Sequence, residues 1–430
     1  YSGPDTGNVL SLPASSRLFS TTALPSAANG FNGAAIIDND YSLATATTAT
    51  IDTFATQFGA VVAPGKTLTI GANSVLNLLN GSTGSFGTGW FGAAGTTTIG
   101  AGAILATANT ASSGAGTLML LGPIVQSGTG LNSGTTATNA LVKAGQGTLF
   151  LGADNVAAGT FTGDLVVQGG TLMLGNAGAL PNGVVTIGGT ALTAQAAATT
   201  TVGSNVVSGI TSTAAMQKGM TVTGTGIPAG AYIVSIDSAT QVTLSQGATA
   251  SATITDLVAV SNGRIDVNGL SLTKALTLNG AGAGQHAANF TGALWNSSSS
   301  AVTLSGLVTL GSAVSIGGSG DMTLTGNLAG TFALTKTGAN TVTLSGAGNT
   351  FTTLAVNLGV LRLGNAAALS DATNGTTVTS GAVLDLNGFS VGAEPLTIAG
   401  AGFVGSGTIT GVGAVSSQAA LLNSSNTAAT

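Results

Sequence analysis

Two stretches far apart in this chain carry the same text, and that internal repeat limits the possible fold more than any other feature. Leu141 to Gly183 reads LVKAGQGTLFLGADNVAAGTFTGDLVVQGGTLMLGNAGALPNG, and from Leu334 the chain reads LTKTGANTVTLSGAGNTFTTLAVNLGVLRLGNAAALSDATNG. Each copy runs leucine, one residue, lysine, a glycine-containing turn and an alternating strand (GTLFLG, NTVTLSG). An asparagine-containing turn, a second strand (GTLMLGN, GVLRLGN), an Ala-Leu pair and an Asn-Gly turn follow. A unit this short cannot bury its own apolar face, so it recurs where neighbouring units stack and share a core. The repeat predicts an all-β fold, a parallel β-helix or β-solenoid with ~20 to 25 residues per coil.

The match runs past the Asn-Gly turn, with an interruption in one copy. Asn374 to Gly402 reads NGTTVTSGAVLDLNGFSVGAEPLTIAGAG; the earlier copy splits this into NGVVTIGGT (182–190) and SNGRIDVNGLSLTKALTLNGAG (261–282). Asn374 to Asn387 spans 13 positions and Asn182 to Asn268 spans 86, so the earlier copy holds an insert of 73 residues. Within it GMTVTG, AYIVSID and QVTLSQ read as strands, and GIPAG as a turn in which Pro228 fixes φ. The insert resembles small β modules of phage and bacterial surface proteins, and is expected to protrude from the stack by its two ends. The predicted organisation is 1–62 as an N-terminal cap or docking arm, 63–190 and 263–410 as the two parts of the solenoid, 191–262 as the inserted small β domain, and 411–430 as a C-terminal tail.

Composition agrees with a stack of short strands. With 68 glycines among 430 residues, 5% charged and 4% aromatic residues and a positive mean hydropathy, the chain lacks the high charge and low hydrophobicity of a disordered one. Small side chains bury their surface coil by coil. Eight basic residues cannot make the positive stripe that nucleic acid requires. The absence of cysteine removes disulfides and thiolate metal sites together. No apolar run approaches the ~20 residues of a membrane-spanning helix. A chain that begins at Tyr1 is expected to have lost a leader.

The two copies, "L.K.G.GTL.L.G.N" followed by "V..G.L.LGN", resemble the autotransporter-associated β-strand repeat of bacterial autotransporter passenger domains and related surface proteins. That resemblance implies a right-handed parallel β-helix displayed outside the cell. Lys143 and Lys336 hold the repeat's lysine, Gly175 and Gly364 the glycine after its second strand, and Asn176 and Asn365 the residue following. Ala339-Asn340 stands where the repeat usually has a glycine pair. No block of strands resembling an outer-membrane barrel follows, so export through an attached barrel is not expected.

Candidate chemistry is sparse. Gly400, Gly402 and Gly405 spell G-x-G-x-x-G after a strand, but a strand follows, and no helix N-terminus is there to hold a pyrophosphate. Gly224 to Ala229 (GTGIPA) fails in the same way. Gly317-Gly318-Ser319-Gly320-Asp321 approaches a calcium nonapeptide, yet it occurs once where such sites need stacked copies. Asp38 and Asp40, with Asn39 between them, are the metal candidates, although Leu43 stands where a calcium loop of the EF-hand kind needs glycine. One glutamate (Glu394), scattered aspartates and a single His286 in an Ala/Gly-rich turn do not make a lyase or glycosidase centre. Asp266 with Asn268 and Asp385 with Asn387 occupy equivalent places (IDVNG, LDLNG) and point to a shared turn hydrogen bond. Trp90, Phe91, Phe290 and Trp295 suit either stacking on a sugar or covering an edge of the stack.

The expected function is structural: an extracellular rod that self-assembles into a surface filament, sheath or layer through its ends or its N-terminal arm. A passenger adhesin that presents the insert to a host or surface glycan is the second reading, and a phage tail-fibre-like protein the third. Neither enzymatic activity nor a cofactor is expected.

Overall fold

The computed structural model describes residues 9–10, 33–37, 41–43, 46, 48–52, 57–62, 65–80, 90–93, 95–109, 117–126, 140–189, 197–282, 291–370, 375–402, 407–409, 413–415 and 419–429. Among them the fold is all-β with extensive parallel pairing. One helical turn occurs, Asn155–Ala158, capped by the Asp154 side chain and closed by Gly159 at φ 64°. The chain forms two compact units, Tyr1–Val185 with Ala191–Ser261, and Thr186–Thr190 with Asn262–Thr430.

In the first unit the chain visits three parallel ladders in a fixed cyclic order. The first holds Gly33–Ile37, Gln57–Val62, Trp90–Ala93, Thr117–Leu120, Thr148–Leu151 and Thr171–Leu174. The second holds Tyr41–Leu43, Thr67–Ile70, Thr96–Ile99 and Ile124–Val125. The third holds Thr48–Asp52, Val75–Asn80, Ile104–Asn109, Leu141–Ala144 and Leu165–Val167. Strands before Pro64 therefore pair in the same way as those after it.

Because side chains alternate across a strand, one set of each ladder points inward. Leu118, Leu149 and Leu172 are in register and buried, as are Leu120, Leu151 and Leu174. Each buried leucine contributes about 1.5 to 3 kcal/mol, so the core consists of aliphatic stacks running from coil to coil.

The second unit is more regular. Leu334 pairs with Leu354, Leu354 with Thr376 and Thr376 with Leu396, steps of 20, 22 and 20 residues. A six-stranded ladder runs beside it: Val302–Leu304, Met322–Leu324, Thr341–Leu344, Gly359–Leu363, Ala382–Asp385 and Leu421–Leu422. These steps fall in or near the range expected from the repeat, whereas Ile104 to Val142 in the first unit is a step of 38.

The insert is antiparallel. Ala198–Thr200 pairs with Ala252–Ile254, Gln241–Leu244 with both Val206–Val207 and Ile233–Ser238, and Thr221–Thr223 with Val258–Val260. Its own core includes Ile210, Met216, Met220, Val222, Ile233, Val242, Leu244 and Leu257. It does not simply protrude, as the sequence suggested. Tyr232, 1% exposed, packs on the outward row Val75, Ile104 and Val142 together with Ala106 and Ala144, and Val234 joins it. Polar bonds flank this contact, Gln146 Nε2 to Thr221 Oγ1 at 3.3 Å, Gln168 Nε2 to Gln217 Oε1 at 2.6 Å and Lys218 Nζ to Asn73 Oδ1 at 3.1 Å. The physical reason is the row itself: three aliphatic side chains stacked on an outward face gain by leaving water.

Candidate functional site at the repeat turns

The repeat's lysines are buried. The Lys143 ammonium donates to the carbonyls of Ala144 (2.7 Å), Gly145 (2.9 Å) and, from the following coil, Gly169 (2.9 Å). Lys336 donates to the corresponding Thr337 (2.7 Å), Gly338 (2.8 Å) and Leu358 (2.9 Å). An ammonium has three donors, and each here meets a carbonyl. Burial pushes the Lys143 pKa well below its ordinary value. It pushes Lys336 down to about 7, against an opposing pull from the Asp321 carboxylate.

The glycines allow close stacking. A Cβ on Gly175 would lie 2.2 Å from Phe150 Cζ, and one on Gly364 would lie 2.1 Å from Ser345 Oγ. The next residue folds the chain back on itself: Asn176 Oδ1 accepts from the Gly178 N–H, and Asn365 Oδ1 from the Ala367 N–H, both at 2.8 Å. The two copies thus use the same residues for the same bonds.

The Asp-Asn turns match as well. Asp266 Oδ1 accepts from the Asn268 N–H (2.9 Å) and the Ser297 N–H (3.0 Å). Asp385 Oδ1 accepts from the Asn387 and Ser424 N–H groups, both at 3.0 Å. Asn268 and Asn387 both sit at φ 48°, in the left-handed region that asparagine tolerates. Asp385 is further engaged by Arg362 Nε at 2.8 Å and by the Ser424 hydroxyl at 2.7 Å. Arg264 lies 4.6 Å from the Trp295 ring centroid and donates to the Gly292 carbonyl. Burial lowers the Arg264 pKa to about 10 while Asp266 raises it.

Two further sets of residues belong here that the sequence reading passed over. Asn155 Oδ1 accepts from the Ile124 N–H (2.9 Å) and its Nδ2 donates to the Ala179 carbonyl (2.7 Å), so one buried side chain joins three coils. Asn349 does the same between Leu328 (2.9 Å) and Ala368 (2.8 Å). Asn296 and Asn423 accept from Gly269 and Gly388 at 2.9 and 2.8 Å. The recurring Asn-Ser-Ser text at 296–298 and 423–425 is the signal that could have found this second set.

The other candidates are placed as follows. Asp38, Asp40, His286, Phe290 and Gly405 lie outside the described residues. Trp90 and Phe91 are in the strand Trp90–Ala93. Trp295 is 4% exposed beneath Arg264, so its ring face is closed to a sugar. In the 317–321 stretch the glycines admit neighbouring backbone, a Cβ on Gly320 falling 1.9 Å from the Ser298 carbonyl oxygen, and Asp321 Oδ1 accepts from the Thr341 N–H. Among the described residues no group of three or more His, Cys, Asp or Glu side chains could hold a metal, and no helix is long and apolar enough to cross a membrane. What these turns do chemically is fix one coil on the next. Comparison with family profiles, curated proteins and solved structures gave no match for this chain.

Proposed function

We propose that the chain is a three-faced, right-handed β-solenoid of the autotransporter-passenger kind, and that it works outside the cell as a structural protein that assembles into a filament, sheath or layer. The observation that carries the reading is the equivalence of the lysine turns: Lys143 and Lys336 reach the same three carbonyl positions, two in their own turn and one in the following coil. Side chains spent in this way register a stack. The fixed cyclic order of the three ladders supports the same architecture. The reading is non-enzymatic, and the buried carboxylates of Asp266 and Asp385 are occupied by backbone N–H groups.

A parallel stack has unpaired backbone at its terminal strands, and a head-to-tail interface that does not close propagates into a fibre. Sedimentation and negative-stain imaging over a wide concentration range test this. Filaments or a rising mass are expected; strict monomers at the highest concentration would remove the assembly reading. The adhesin reading is second, favoured by the separately cored insert with Val202 61% exposed on its surface. Glycan-array binding that disappears on deletion of 191–262 would support it.

A further inference from the structure

Beyond assembly, the second unit carries a surface with a regularity of its own. The text Ser271-Leu272-Thr273, Thr303-Leu304-Ser305, Thr323-Leu324-Thr325 and Thr343-Leu344-Ser345 recurs at successive coils. The central leucines are in register, Leu272 with Leu304, Leu304 with Leu324 and Leu324 with Leu344, and all four are buried. Alternation then turns both flanking residues of every row outward. Ser271, Thr273, Thr303, Ser305 and Thr325 are exposed and Thr323, Thr343 and Ser345 half-buried.

The eight positions form two columns of four, all hydroxyl side chains and five of them threonine. Neighbouring strands lie ~4.8 Å apart and alternate residues along a strand ~6.7 Å apart, which sets the grid. The coils beyond it break the pattern: Arg362 and Asp385 follow Thr343 in the same column and pair with each other. The grid therefore ends at Thr343 on that side and none of its eight positions is charged; within it Ser271 Oγ accepts from the Thr303 N–H and Thr325 Oγ1 donates to the Leu304 carbonyl.

Solubility alone does not require such an array, since a few charged side chains would serve better. Sugar binding would draw on aromatic platforms, and none of the eight positions is aromatic. A charged group holds its own hydration shell, whereas a neutral row of hydroxyls and threonine methyls on a rigid sheet can order water into rows with its own repeat. The oxygen rows on a prism face of hexagonal ice repeat on the same scale in both directions. We propose that this face binds the ordered water lattice at an ice surface, with Thr303, Thr323, Thr325 and Thr343 as its centre. The grid lies on a lateral ladder, so binding does not depend on assembly and the two readings fail independently.

The test is partition of the full chain into slowly grown polycrystalline ice, read as the ratio of protein in ice to protein in the remaining liquid. Enrichment in the ice fraction is expected, falling at least tenfold in the double variant Thr303→Lys, Thr323→Lys. Thr377→Lys, an exposed position on the neighbouring ladder, should leave the ratio unchanged. Matching circular dichroism spectra of the three proteins separate loss of binding from loss of fold. Exclusion of the wild-type chain from ice overturns the proposal, as does equal loss in the double variant and Thr377→Lys. Retention on crystalline chitin or cellulose without ice enrichment would overturn it in favour of a polysaccharide surface.

Discussion

Lys336 donates from its buried ammonium to the carbonyl of Leu358 in the following coil at 2.9 Å, so a side chain from one winding completes the turn of the next. Two more carbonyls, those of Thr337 and Gly338, complete its coordination. Removing the amine strands three acceptors, two buried and one half-buried, at about 1 kcal/mol each. Lys143→Met and Lys336→Met should each lower stability by about 3 kcal/mol, read as a shift in the urea midpoint or, if unfolding is not two-state, as lost amide protection in the adjoining coils. An unchanged midpoint and unchanged protection would show that the carbonyls find other partners.

The same burial makes stability depend on pH. The Lys336 pKa is about 7 when folded, against an ordinary 10.5. Between those values the unfolded chain binds more protons than the folded one, so stability rises with pH. The contribution is at its lowest below pH 7, rises through the window and is complete above pH 10.5. Lys143, also lowered by burial, acts in the same direction. Urea midpoints at pH 7 and pH 10 should differ in favour of pH 10, and Lys336→Met should reduce the difference. A fall in stability across that interval would contradict the assignment.

Tyr232 offers a pair of opposite outcomes. Its phenol is buried without a hydrogen-bond partner, and burial raises its pKa. Tyr232→Phe removes an unsatisfied hydroxyl and should be neutral or stabilising by up to about 1 kcal/mol. Tyr232→Ala opens a cavity against Val75, Ile104 and Val142 and should cost about 3 to 5 kcal/mol. Thermal unfolding of both variants checks the contrast, and a destabilising Tyr232→Phe would point to a hydrogen bond formed in solution.

Two glycines in the same repeat should respond differently to alanine. At Gly175 the added Cβ meets the end of the Phe150 ring, which can turn aside. At Gly170 it meets the Gly147 carbonyl oxygen at 2.2 Å, and the residue is at φ 64°. Gly170→Ala should therefore cost at least about 1 kcal/mol more than Gly175→Ala. Midpoints that agree within error would show that the backbone there gives way.

Much of this was legible in the text because the repeat preserves spacing. Lys143 and Lys336 stand two places after their leucines in both copies, and the strands beside them alternate, so all-β parallel stacking followed directly. The partners of the Asp-Asn turns left only the repeated Asn-Ser-Ser text as a trace, for the opposite reason. Asn296 lies 28 residues after Asn268, and Asn423 lies 36 after Asn387, so no fixed period joins them. The docking of the insert left a fainter trace. Val142 and Ala144 face outward in the first copy where the second has Thr335 and Thr337. An apolar pair in place of two threonines marks a covered face, but only to a reader who already knows which side of the strand is outside.

The Asn-Gly turns have a last consequence, for ageing. Asparagine before glycine is the pair most prone to spontaneous deamidation, in which the glycine nitrogen closes on the asparagine side-chain carbon and ammonia leaves. At Asn268 and Asn387 that nitrogen is held by a hydrogen bond to Asn296 or Asn423, and breaking it must precede ring closure. These two turns should stay chemically intact for as long as they stay folded, which ties their own ageing to the fold around them.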